Sequence, residues 1–166
     1  CEKTYNYVTN PNEHQELVEE FFGMLTRYMR YKPSAVIDST SLLINLKFAA
    51  LTIGMEHFGA AKTTYSFIEM IFKCCSPKKI DKHFADVIIV FLFGTTNTQN
   101  IGIKLYALLQ GLTETFVAKL ILAVLNSPPG DVREYIFDCF IAATKYFKEP
   151  FLQAFSKYIV EVNISL

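Results

Sequence analysis

The chain has 166 residues, 51% of them hydrophobic and 19% charged, which argues against disorder and suits one domain or a short solenoid segment. Lysine plus arginine and aspartate plus glutamate both number 16, so the net charge is zero and a globally basic nucleic-acid binder is disfavoured. Fifteen phenylalanines and nine tyrosines, with no tryptophan, supply ample apolar volume for a core.

Helical periodicity dominates the pattern from the start. Asn10-Pro11-Asn12-Glu13 reads as a helix N-terminus: Asn10 caps, Pro11 suits the first turn and Glu13 closes the box. Leu17, Val18, Phe21, Leu25 and Tyr28 then follow on one face. Early glutamates (Glu13, Glu16, Glu19, Glu20) and late cations (Arg27, Arg30, Lys32) match the helix dipole, and Pro33 ends the helix.

A second helix is expected from Ser39 or Thr40, with Leu42, Leu46, Ala49, Ala50 and Ile53 as its stripe. A third spans about 60–75 and turns Tyr65, Ile68, Ile71, Phe72 and Cys75 inward, up to the Ser76-Pro77 break. A fourth opens near Asp81 and carries Phe84, Val87, Ile88, Phe91 and Leu92. A fifth starts near Asn97 and ends by Gly111, and a sixth starts near Thr113 with Phe116, Val117, Leu120, Ile121 and Val124. Ser127-Pro128-Pro129-Gly130 is the clearest break. Asp131 and Glu134 then cap a seventh helix with Val132, Ile136, Cys139, Phe140 and Ala143. Glu149-Pro150 opens an eighth with Phe151, Leu152, Phe155, Ile159 and Val162.

The fold class expected is therefore all-α: about four antiparallel helix pairs, near 11–56, 60–95, 98–127 and 131–163, stacked in one segment. In such a stack each repeat covers its neighbour, so an end repeat exposes apolar surface. Phe21 or Phe22 and their neighbours in the first pair are expected at that sticky N-terminal end.

The residues carry no catalytic constellation. The histidines are His14, His57 and His83, and none pairs with another at helical i, i+4 spacing. Cys74 and Cys75 are adjacent in an apolar stretch, and together with Cys1 and Cys139 they suggest a reducing compartment without disulfides. No phosphate-binding loop, dinucleotide fingerprint or nucleophile elbow is present. No cofactor and no metal is expected, and no enzyme activity. No apolar run reaches membrane-spanning length, so no membrane partner is expected either. Lys73, Lys78, Lys79 and Lys82 cluster around Pro77, where a solvated turn is the plain reading and an acidic partner segment the functional one.

Three segments carry a resemblance. Asn10-Pro11-Asn12 through Glu20-Phe21-Phe22-Gly23-Met24-Leu25 to Tyr31-Lys32-Pro33 resembles a C-terminal helix of the importin-β family, in its transportin-3/importin-13 branch. Ala60-Ala61-Lys62-Thr63-Thr64-Tyr65-Ser66-Phe67-Ile68-Glu69 resembles that family's next helix. Ser127-Pro128-Pro129-Gly130-Asp131-Val132 resembles the proline-rich break before its last repeats. The resemblance implies a HEAT-repeat solenoid, the C-terminal fragment of a longer nuclear transport receptor of cytoplasm and nucleus. It implies protein cargo, with the Ran GTPase and nucleoporins engaged through the rest of the receptor. An arginine-rich cargo-binding helix of transportin-3-like receptors does not appear in this sequence. The alternative is a HEAT or armadillo-like interaction scaffold unconnected with transport.

The resemblance also implies that the second helix of each pair lines the partner-binding side. The polar edges of those helices are then the candidate contacts: Lys82 and Asp86, Lys119, and Gln153, Lys157 and Glu161.

Overall fold

In the computed structural model, residues 10–75, 98–126 and 132–164 are described, and side chains within 10–75, 105–126 and 132–160. All regular structure among them is helical. A 3-10 turn, Pro11–Glu13, precedes α1 (Gln15–Tyr31), α2 (Pro33–Ile37), α3 (Leu42–Thr52), α4 (Phe58–Cys74), α5 (Thr98–Leu125), α6 (Val132–Tyr146) and α7 (Lys148–Ile164).

The Asn10 cap forms, but on a smaller element than the sequence suggests. The Asn12 backbone N–H donates to Asn10 Oδ1 at 3.2 Å, and Asn10 Nδ2 donates to Glu13 Oε1 at 2.8 Å. These bonds close the 3-10 turn, and α1 begins only after His14. Pro33 ends α1 and opens α2, because the residue before a proline is pushed out of the helical region and proline itself suits a first turn. At the far end of α3, Gly54 adopts φ +91°, a backbone conformation that suits glycine. Its N–H donates to the Tyr65 hydroxyl at 3.1 Å, which fixes the exit of α3 on α4.

Three helices lie side by side. Glu19 of α1 lies by His57 and Gly59 at the start of α4, while Gly23 faces Thr63 and Phe22 packs on Phe67. The positions rise together along both helices, so α1 and α4 run in the same direction. The same holds for α4 and α6: Lys62 lies over the Tyr135 ring, the Cys139 thiol donates to the Tyr65 carbonyl at 3.2 Å, and Phe72 meets Phe147 at 5.9 Å. A second row holds α5 between α3 and α7. Its helices connect back to the first row, most directly where Phe147 alone joins α6 to α7. The chain thus places α1, α4 and α6 in one layer and α3, α5 and α7 in the other.

Between the layers lies an aromatic core. Phe21, Phe22, Phe48 and Phe67 pack around the first hairpin, with ring centroids 5.2–5.6 Å apart. Phe72 reaches Phe116, Phe147 and Phe151 and closes the second half. Edge-to-face pairs such as Phe21–Phe22 add to plain burial, each by about 0.5–1.5 kcal/mol.

The stripes expected on α3 and α4 are buried in full, from Leu42 to Ile53 and from Tyr65 to Cys75. On α1 the buried face is rotated from the expected one. Val18, Phe22, Leu25 and Met29 point inward with Phe21, while Leu17 and Tyr28 are exposed. α4 and the rings of α3 sit on that side and fix which of two adjacent stripes is covered. Phe21 and Phe22 are therefore core, and of the surface expected at that end it is their neighbours Leu17, Met24 and Tyr28 that are exposed. Leu152 and Ile159 likewise sit on the outer side of α7. The expected fourth helix, with its run Val87 to Phe93, lies outside the described residues.

The largest departure is α5. The sequence suggests two helices with a turn at Gly111–Thr113, but one helix of 28 residues runs through. Leu105, Leu109, Phe116, Val117, Leu120 and Ala123 make one continuous buried stripe across the expected turn. The Thr113 hydroxyl donates to the Leu109 carbonyl at 2.7 Å, so it serves the helix instead of capping a new one. A glycine inside a helix costs only about 1 kcal/mol, less than the stripe contributes by staying in register. The pair expected over 98–127 is accordingly a single helix. Leu105–Leu125 is also long and apolar enough to cross a membrane by length and composition, contrary to expectation. A core helix passes the same test, and this one presents Gln110, Glu114, Thr115 and Lys119 on its outer face.

Candidate functional site

The residues expected to contact a partner distribute as follows. Lys119 is exposed on α5, and Gln153 and Lys157 are exposed on α7. These two helices are neighbours, so the three residues share the α3–α5–α7 layer. Glu161 lies on α7, outside the described side chains, and Lys82 and Asp86 lie outside the described residues. One residue was missed from the sequence: Glu114 of α5, whose Oε1 accepts from Lys157 Nζ at 2.8 Å. Nothing in the sequence marks a pair 43 positions apart, since it depends on which helices become neighbours. Both groups are more than half exposed, so the pair contributes at most about 1 kcal/mol. Its use is to hold two opposite charges at a fixed place on the layer's surface.

The titratable groups in the interior are structural. Burial pushes the Cys139 thiol well above its ordinary value, with the nearby Glu69 and Asp138 carboxylates adding to the effect. Burial also raises Cys75, and Cys74 adds to it. A thiol held in its neutral form is a poor nucleophile and a poor metal ligand. Among the described residues no group of three or more His, Cys, Asp or Glu side chains converges to hold a metal. His57 serves as a helix cap, its Nδ1 accepting from the Ala60 N–H at 3.3 Å. Glu19 Oε2 lies 3.8 Å from the same nitrogen. Native chain treated with a maleimide is expected to leave Cys75 and Cys139 unmodified until denaturant is added, as peptide mapping would show. A melting temperature unaffected by reductant or chelator is expected as well, and a drop of several degrees with either would contradict a core free of disulfide and metal.

Tyr65 gives the fold an alkaline limit. Burial raises its hydroxyl from 10.0 to about 12, against the opposing hydrogen bond from Gly54. The neutral hydroxyl is the form the folded chain prefers, so Tyr65 contributes its full stability below pH 10. That contribution declines as pH rises from 10 towards 12, because the unfolded chain releases the proton first. Urea denaturation at stepped pH is expected to show the decline in the wild type, and a smaller one in Tyr65→Phe.

Two apolar surfaces remain open at the ends of the first layer. On α1, Leu17, Met24, Tyr28 and Tyr31 are exposed, Tyr31 by 82%. On α6, Phe137 and Ile141 are exposed, one helical turn apart. Neighbours such as these usually mark where something packs.

No protein-family model matches the chain, and no curated protein or solved structure does. The reading of function therefore rests on the residues themselves.

Proposed function

We propose that this chain is a protein-binding stack of helix hairpins of the HEAT kind. The observation that carries the reading is the layering. α1, α4 and α6 run parallel in one row, and α3, α5 and α7 form a second row with a charged outer edge. Such a stack is stiff, because each hairpin is held by its neighbour through buried rings. It is also extended, which suits it to hold a partner along a row of helices. The polar residues on α5 and α7 steer and register the partner, while the buried stripes maintain the scaffold.

The double variant Lys119→Glu, Lys157→Glu tests this surface. It reverses two exposed cations and sets position 157 against Glu114. Proteins retained from cytosol by the immobilised wild-type chain are expected to be lost, or held with a different salt dependence, by the variant. Stability should change by about 1 kcal/mol or less, the loss of the exposed Glu114 pair included. Unchanged retention on a folded variant would remove α5 and α7 as the contact surface.

The finer reading is that the stack belongs to a nuclear transport receptor and holds protein cargo under Ran control. It is favoured by the three segments that resemble the importin-β family in the family's order, of which two fall on α1 and α4. The encoding message, sequenced upstream of Cys1, tests it. A helical Ran-binding region is the expected finding there, and a coding region without one would leave the scaffold reading alone.

A further inference from the structure

We infer that the open face of α1 is a self-association surface, on which a second copy of this chain docks antiparallel. This goes beyond what the α3–α5–α7 layer binds and does not depend on it. Leu17, Met24 and Tyr31 recur at seven-residue spacing and stand on one line, with Tyr28 beside it. They lie on the side of α1 away from Phe22, which packs on α4, and about a quarter turn from Gly23. All four are exposed, between 40% and 82%.

The charges along one flank of that line select the partner. Glu16 and Glu20 occupy the N-terminal half of the flank, and Arg27 and Arg30 the C-terminal half. All four are exposed, and none forms an ion pair with another described residue. A second α1 laid antiparallel about a twofold axis at Met24 sets Met24 against Met24 and Leu17 against Tyr31 of the second copy. The same register brings Glu20 to Arg27 and Glu16 to Arg30 of that copy, and each pairing occurs twice by symmetry. In antiparallel helix pairs the same flank of each helix meets, which is the arrangement these charges need. In a parallel copy opposite flanks meet, so these glutamates and arginines would not face one another. The helix is 17 residues, about 25 Å long, so the seam falls at the small end of specific interfaces. The dimer is accordingly weak, concentration-dependent and weakened by salt.

Sedimentation of the full chain at low and high concentration tests the inference, with circular dichroism confirming the fold of each variant. The weight-average mass is expected to rise from 18.9 kDa towards twice that value and to fall back on adding salt. Glu20→Arg and Arg27→Glu should each weaken association by about tenfold or more, and the double swap should restore it, because it re-forms the pairs with signs exchanged. Met24→Cys should form a disulfide-linked dimer under mild oxidation far more readily than Tyr31→Cys or the unsubstituted chain. A mass fixed at 18.9 kDa at every concentration would overturn the inference. So would a double swap as weak as the single variants, or preferential linking through position 31.

Discussion

Phe72→Ala is expected to destabilise the chain by about 3–5 kcal/mol. The ring is 1% exposed and meets Phe116, Phe147 and Phe151, with centroids 6.2, 5.9 and 6.3 Å away. Those partners stand on α5, on the α6–α7 link and on α7, so one side chain from α4 joins both layers. Truncation removes the transfer energy of the ring and leaves a cavity walled by three other rings. These cannot collapse inward without moving their helices. Domain stabilities are about 5–15 kcal/mol, so the loss is a large share of the total. A melting temperature lower by about 10 °C is the expected readout. Leu125→Ala is the control: that side chain is 67% exposed, and its loss should cost about 0.5 kcal/mol or less. If both variants melt together, the Phe72 cluster is not the joint between the layers.

Gly111 separates the one-helix and two-helix readings of residues 98–125. In a continuous α5, Gly111 stands mid-helix, and a Cβ there meets nothing within 4 Å. Gly111→Ala should therefore stabilise the chain by up to about 1 kcal/mol. Gly111→Pro should cost about 3 kcal/mol or more, since proline removes a helical hydrogen bond and its ring clashes with the carbonyl of Ala107, one turn back. In a hairpin turning at Gly111–Thr113 the proline would be tolerated and the alanine would bring little. Urea denaturation of the two variants decides it. The expected result is opposite signs, with the proline effect the larger.

How far the sequence could be read depends on what each feature needs. Local chemistry was legible. The Asn10 cap, the stop at Pro33 and the stripes of α3 and α4 depend on residues a few positions apart, and they formed, while the short α2 that Pro33 opens was not expected. The α1 face was not, because helical spacing admits two adjacent stripes there. One runs through Leu17 and Tyr28, the other through Val18, Phe22 and Met29. Only the position of α4 and the rings of α3 chooses between them. The turn assigned at Gly111 failed for the opposite reason: a weak local breaker was outweighed by a buried stripe on both sides of it. In the candidate surface, the exposure of Lys119, Gln153 and Lys157 followed from helical spacing. Glu114 did not, since its partner is set by the neighbouring of α5 and α7. The charge order of α1 matches the helix dipole, and its value for pairing with a second copy depends on the exposure of the stripe beside it.

The parallel row of α1, α4 and α6 underlies every functional reading of the chain, and spin-label distances test it directly. Glu16, Arg30, Glu134 and Lys145 are all exposed, near the two ends of α1 and of α6. With α4 between them, α1 and α6 stand about 20 Å apart, and the row runs in one direction. Labels at 16 and 134 should then lie closer than labels at 16 and 145, and labels at 30 and 145 closer than labels at 30 and 134. Each difference should be about 5 Å or more, given the rise along α6. The reverse order in both comparisons would mean that α1 and α6 run in opposite directions and would contradict the stacked-hairpin account.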